Sequence, residues 1–390
     1  MANHQPRAVP AGATLKSFPV SNGATLAAYW TANAKDKSAK HVVIIIHGSL
    51  RDADAYFSYM ATVRQQQLQA GNGNVDPNMI IVAPVFYSTK WNSGEYKKNQ
   101  LAWGDSNLWI PGERSNHPAG VRMSSFAVVE ELLNHFDNRT QFPNMRNITL
   151  VGHSGGGQYV NRLAAVAVDL PKRTHVRFVT ADPSTGLYFT KQRATGGGIP
   201  ATGSCPLYDS WRYGLTNFSI SPYAGKKRSE YFLNYINRDV AHVEGLLDTE
   251  QNGDQQCMAQ MQGGSARINR NLIYWKYLNQ LAGTSENVTL FPGNFSGLPN
   301  WKHLTGGRIR TNFAVAAEVS HDAQGVLSSA EGVSAVFDDN NLVKGWRPNS
   351  SQPIDGGSSG YASTAPPGTP AWPLVVGAVL SAMGSGIFIL

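Results

Sequence analysis

The chain's reactive chemistry concentrates at Gly152-His153-Ser154-Gly155-Gly156, a serine between small residues directly after the apolar run Ile148-Thr149-Leu150-Val151. Gln158 and a stretch rich in leucine and alanine follow, so the segment reads as a strand, a sharp bend and a helix. Glycines at 152 and 156 suit a crossing too close for side chains, and the bend would hold the Ser154 hydroxyl clear of the backbone. The helix behind it would aim free N–H groups and the positive end of its dipole at the same point, which favours the oxyanion of acyl transfer. Alone, the pattern also describes an ordinary Gly-rich turn, so the reading depends on partners elsewhere.

Those partners are a base, an acid and two N–H donors. The run His41-Val42-Val43-Ile44-Ile45-Ile46 reads as a buried strand ending in His47-Gly48. The loop after it would supply Ser49 as one oxyanion donor and Gly155 the other, with Leu50 beside them. His47 and His153 read as propping and packing residues. His321 follows the strand-like 312–319 and opens a helical stretch through 337, so it is the expected base. Three candidates for the acid lie between nucleophile and base: Asp182, Asp239 and Asp248. Asp248, at the exit of the run 240–247, is preferred. Asp182 is the reserve, read as a turn residue at the pocket rim, and Asp239 reads as a solvated strand start. Asp322 reads as a first-turn helix residue.

Apolar segments near Val42, 79–85, Ile148, Val176, Val240 and Phe313 alternate with helical patterns at 56–69, 125–134, 158–168, 256–282 and 322–337. This alternation predicts an α/β fold with a mainly parallel, doubly wound sheet. Residues 1–19 are expected to be an N-terminal extension, 20–338 the catalytic domain and 339–370 a Ser/Gly/Pro linker. Residues 186–238 form a long insertion positioned as a partial lid. Its Tyr188, Tyr208 and Trp211, with Trp103 and Leu50, are candidate substrate contacts; a satellite core is the equal alternative for the insertion's aromatics.

Beyond the elbow, the chain carries Trp103-Gly104-Asp105-Ser106-Asn107-Leu108-Trp109, Ser124-Ser125-Phe126, Phe142-Pro143-Asn144, Cys205-Pro206-Leu207-Tyr208, Trp211-Arg212-Tyr213-Gly214 and Val319-Ser320-His321-Asp322-Ala323. Together these elements resemble the fungal-type α/β-hydrolases with a His-Gly oxyanion loop and a Gly-His-Ser-Gly-Gly elbow. The resemblance implies a triad of Ser154, Asp248 and His321, an oxyanion hole at Ser49 and Gly155, and a serine hydrolase of carboxylic esters. Ser49-Leu50-Arg51 stands where glycine-rich oxyanion loops carry more glycine, which bears on whether esters of bulky tertiary alcohols fit. Acyl transfer or carbon–carbon bond hydrolysis would reuse the same triad, and a non-catalytic surface protein with this fold is the alternative of another class.

Composition agrees with a large single core: 390 residues, 42% of them hydrophobic. The net charge of +7 is dispersed, with one cluster at Lys226-Lys227-Arg228, so no nucleic-acid partner is expected. Ten scattered histidines and two cysteines show no metal-ligand spacing, and neither metal nor cofactor is called for. The expected partner is a small or lipid-like ester. Cys205 and Cys257 suggest one bridge and an oxidising compartment. N-x-S/T sequons at Asn138, Asn147, Asn217, Asn287, Asn294 and Asn349 agree with secretion, whereas the N-terminus shows no signal-peptide pattern. The apolar stretch 371–390, with Ser358-Ser359-Gly360 before it, reads either as a GPI-attachment signal or as a tail anchor, placing the enzyme at a membrane surface.

Overall fold

Among the described residues eight strands build the main sheet: β1 (Ala13–Pro19), β2 (Thr25–Thr31), β3 (His41–Ile46), β4 (Ile80–Pro84), β5 (Asn147–His153), β6 (His175–Ala181), β7 (Asp239–Gly245) and β8 (Asn312–Ala316). They form one sheet in the order β1-β2-β4-β3-β5-β6-β7-β8. β2 pairs antiparallel with β1 and β4; from β4 to β8 every pairing is parallel. This computed structural model describes residues 6–104, 106–340 and 342–349. The expected attachment signal or anchor, and most of the expected linker, lie outside the described residues. No described helix is long and apolar enough to cross a membrane.

Both faces of the sheet are buried, as near-continuous apolar strands require. Val42, Ile44, Ile46, Ile148 and Leu150 point into one cluster, Val43, Ile45, Val151, Val179 and Val243 into the other. Helices α2 (Ser125–His135), α3 (Gly155–Val166), α4 (Arg228–Asn237) and α5 (Arg267–Ala282) cover the first face. Helices α1 (Ala53–Gln69), α6 (Ala323–Ser328) and α7 (Ala330–Phe337) cover the second. The parallel register sets Ile46 opposite Gly152, His153 opposite Ala181, Ala181 opposite Val243 and Ala316 opposite Gly245. Five strands therefore end together, and the loops carrying His47 to Leu50, Ser154, Asp182, Asp248 and His321 leave from one edge.

Four sequence expectations change. β1 belongs to the sheet, so 13–19 is not an extension; as a largely exposed edge strand it lacks an inward-facing alternation that could be read. The stretch 322–337 is two helices, because Ser329 ends one and caps the next by accepting from the Gly332 N–H. The insertion 186–238 is mostly framework: Tyr188, Phe189, Tyr223, Tyr231, Phe232 and Tyr235 are buried in the first cluster. Finally, the linker cannot start at 339, since Val315 donates to Lys344 O and accepts from the Trp346 N–H, holding 344–346 along β8.

Cys205 and Cys257 form a disulfide across 52 residues, tying the exposed part of the insertion to the segment before α5. Closing a loop of that length is worth roughly 4 kcal/mol in the chain-entropy account. Cys205→Ser and Cys257→Ser should each lower the melting temperature by a similar amount, and reductant should reproduce the shift in the wild type; a melt insensitive to reductant would contradict this.

Candidate active site

Ser154 sits between β5 and α3 at φ 57 and ψ −116, a backbone conformation that a residue with a side chain adopts only when its surroundings impose it. The surroundings are three backbones in contact. A Cβ on Gly152 would lie 2.1 Å from Gly156 O, and one on Gly156 would lie 2.3 Å from Ile46 O. β3, β5 and the first turn of α3 thus meet without side chains between them. The Ser154 N–H donates to Ala181 O at 2.9 Å, fixing the bend against β6.

The loop after β3 lies against the same bend. The Cβ position of Gly48 is 3.9 Å from Ser154 Oγ, and that of Gly155 is 3.1 Å from Ser49 N. The N–H groups of Ser49 and Gly155 have no acceptor among the described residues. Both residues lie beside the Ser154 bend at the positive end of the α3 dipole, a setting that favours negative charge. His47 fixes the loop as expected: Nδ1 bonds Gly48 O at 2.8 Å and Nε2 accepts from the Phe86 N–H at 3.1 Å.

Across the edge, His321 Nδ1 lies 2.9 Å from Asp248 Oδ2. This bond leaves Nε2 as the outward nitrogen. The His321 ring also packs 4.6 Å from the ring of His153, the residue directly before Ser154. Asp248 is buried, yet hydrogen bonds from His321 and Arg267 outweigh the burial and hold its carboxyl below the usual range. Arg267, at the start of α5, places Nε 2.9 Å from each Asp248 oxygen and Nη2 2.6 Å from Oδ1. Sequence reasoning missed Arg267. A buried arginine has no positional signature, and only the fold reveals that it faces the acid.

Behind the ring lies a second buried layer. His153 Nδ1 bonds the Tyr56 hydroxyl at 3.0 Å, and its Nε2 stands 3.6 Å from Asp182 Oδ2. Burial lowers His153 to about 4; burial and the nearby Asp248 raise Asp182 to about 8. At neutral pH both are therefore uncharged, and their contact is polar rather than ionic. Asp182 instead supports the acid loop, since Oδ1 accepts from the Gly245 N–H at 2.7 Å. Asp239 lies at the other end of β7, paired with Arg177 at 2.8 Å and His175 at 3.2 Å. Ligand atoms of His153, Asp182 and His321 fall within 4.8 Å of one another. A divalent ion there would have to deprotonate Asp182 and compete with Asp248 for His321.

The expected substrate contacts divide. Trp103 and Tyr188 are fully buried and line no open surface. Trp103 packs against Phe86 and donates to Glu113 O, while Tyr188 lies 4.4 Å from the Tyr277 ring beneath the Arg193 guanidinium. Both are core residues, a correction of the sequence reading. Tyr208 and Trp211 are half-buried; Trp211 stacks on Phe218 and donates from Nε1 to Pro111 O, joining the insertion to the 106–112 loop. Leu50 is 55% exposed, next to Ser49.

Comparison with solved structures gives poly(aspartic acid) hydrolase-1 from Sphingomonas sp. KT-1, 18% identical with a TM-score of 0.53, covering 82% of this chain and 96% of that one. It also gives LpqC, a poly(3-hydroxybutyrate) depolymerase from Bordetella parapertussis, 16% identical with a TM-score of 0.55, covering 87% and 93%. No protein-family model and no curated sequence relative matches. The sheet order, the elbow and these likenesses establish the α/β-hydrolase fold.

Gly156→Ala should cost on the order of 3 kcal/mol or more, because its methyl group meets backbone that cannot yield; an unchanged melting temperature would contradict the close crossing. Arg267→Gln removes the permanently charged partner of a buried carboxylate, with a loss of about 3 kcal/mol expected at pH 7. In the wild type the depressed carboxyl contributes stability that is lost only as pH falls below the unfolded value of 3.8. In the variant burial raises that carboxyl instead, so its stability should recover as pH drops from 7 towards 4. A deficit constant across that window, measured by denaturant unfolding, would contradict the assignment.

Proposed function

We propose that this protein is a serine hydrolase of carboxylic esters working through an acyl-enzyme on Ser154. The observation that carries the reading is the 2.9 Å contact of His321 Nδ1 with buried Asp248, on loops that leave the sheet edge holding the strained Ser154. In this reading Ser154 Oγ attacks the ester carbonyl while His321 Nε2 takes its proton. The Asp248 carboxylate keeps Nδ1 protonated and stabilises the imidazolium. The N–H groups of Ser49 and Gly155 receive the tetrahedral oxyanion, worth about 10²–10³ in rate for each donor in comparable sites. His321 then protonates the departing alcohol. Water, deprotonated by the same nitrogen, attacks the acyl group and frees the carboxylic acid and Ser154.

The surroundings favour an apolar substrate. Leu50 and Leu247, 55% and 39% exposed, stand on the loops that carry Ser49 and Asp248, and Leu108 is 36% exposed on the loop whose Ile110 borders Gly155. Tyr208 and Trp211 remain candidate contacts at the insertion. The fungal-type likeness rests on sequence elements and would narrow the class of ester. The Cys205–Cys257 bridge favours an oxidising compartment, in keeping with secretion or display at a membrane surface.

Hydrolysis of a panel of nitrophenyl esters by purified variants tests the reading. Ser154→Ala should lower kcat/KM by roughly 10⁴-fold or more. Asp248→Asn should lower it by about 10²- to 10⁴-fold, and Asp182→Asn by less than about tenfold, since an amide can keep the bond to Gly245. Loss of turnover in Asp182→Asn alone would transfer the acid's role to Asp182. Undiminished turnover in Ser154→Ala would overturn the proposal.

A further inference from the structure

A second cleft lies at the opposite end of the sheet. Its walls include Asn237, the last residue of α4 before β7, and Asn312 and Phe313, the first residues of β8, with a cavity volume of about 600 Å³. Ser154, Asp248 and His321 follow the far ends of these parallel strands. At about 3.3 Å per residue the two places are separated by roughly 20 Å. The cleft is thus independent of the candidate active site.

Its charge is one-sided. Arg308, Arg310 and Lys344 line it with exposed side chains, and among the described residues none of the three side chains has an ion-pair or hydrogen-bond partner. Arg347 adds a fourth cation, held by donating to Lys344 O and Phe313 O. Glu286 is the single acidic side chain in the lining. Three more cations than anions on one concave surface make a local positive field that a dispersed charge distribution does not.

The floor supplies a second, independent observation. Trp275 and Thr311 line the same cleft, are only 6% and 5% exposed, and leave Trp275 Nε1 and Thr311 Oγ1 without any hydrogen-bond partner among the described residues. Buried polar groups are almost always satisfied, and an exception calls for an explanation. An indole N–H can only donate, so what is missing at Trp275 is an acceptor. Stacking of Trp275 on Phe313, at 5.3 Å and 13°, holds the indole in place.

We infer that this cleft binds a small organic polyanion, carboxylate- or phosphate-bearing, whose oxygens face the Arg308, Arg310 and Lys344 heads, and that a small shift of the lining on binding lets Trp275 Nε1 and Thr311 Oγ1, closed to solvent in the structure, donate to it. The volume lies within the range of small-molecule sites. Guanidinium groups suit both anion types because their planar forks pair with two oxygens at once. Glu286, the one acidic residue of the wall, lies within electrostatic reach of Arg347 and offsets part of its charge, which leaves Arg308, Arg310 and Lys344 to face an anion.

Calorimetric titration of the full chain with citrate and, separately, with inorganic pyrophosphate tests the site and distinguishes the two sources. Saturable one-to-one binding of either anion is expected, weakening as salt rises; the tighter of the two identifies the ligand's acid type. Arg308→Ser combined with Arg310→Ser should weaken it at least tenfold with an unchanged melting temperature, since neither side chain supports the fold. Trp275→Phe, which keeps the stack and removes the N–H, should weaken it severalfold, and Ser154→Ala should leave it unaltered. Absence of saturable binding for both anions at low salt, or binding that survives the double arginine change, would overturn the inference.

Discussion

The structure depends on a contact that only three backbones can make. β3, β5 and the first turn of α3 approach so closely at Gly152 and Gly156 that a methyl group at either would sit 2.1 to 2.3 Å from a carbonyl oxygen. This crossing forces Ser154 into its strained conformation and brings the Gly155 backbone against the Ser49 nitrogen. The cost of such a conformation, of order 1–3 kcal/mol, is tolerated because two buried faces of the sheet over-determine the backbone around it. Every other part of the site is referred to that point by the common register of the parallel strands.

Electrostatics then separate the carboxyl groups behind the edge. Asp248 receives Arg267 and His321 and stays ionised despite burial; Asp182, without a cation in contact, is raised to about 8. Glu244, fully buried on β7, is likewise raised by burial and by Asp182 and Asp248. Neighbouring buried carboxyls cannot all be charged, so the cation decides which of them carries the charge. Arg267, together with the hydrogen bond from His321, thereby keeps Asp248 the ionised member of the group. His153, neutral and bonded to Tyr56, offers the His321 ring an uncharged face.

Much of this was legible in the sequence because it is written in local patterns. Apolar runs ending in Gly or His marked β3 and β5, and the ends of later apolar runs pointed to Asp248 and His321, which the structure brings into contact. What was not legible depends on contacts distant along the chain. β1 shows a mostly exposed edge pattern, and its place is fixed only by pairing with β2. Tyr188 and Trp103 are aromatic residues near motifs that suggested a pocket, but aromatic rings fill cores as readily as they line clefts. Arg267 lies 19 residues beyond Asp248, and Trp275 and Thr311 reach the same distant cleft from α5 and the approach to β8. No spacing rule links such residues.

The central claim is that Ser154 is the nucleophile of this edge, and the site of covalent modification by a fluorophosphonate tests it most directly. Intact mass after treatment, followed by peptide mapping, should show one phosphonyl group per chain, carried on the peptide containing Ser154 and absent from Ser154→Ala. A well-folded wild-type protein that takes up no reagent, or takes it up on another residue, would contradict the account.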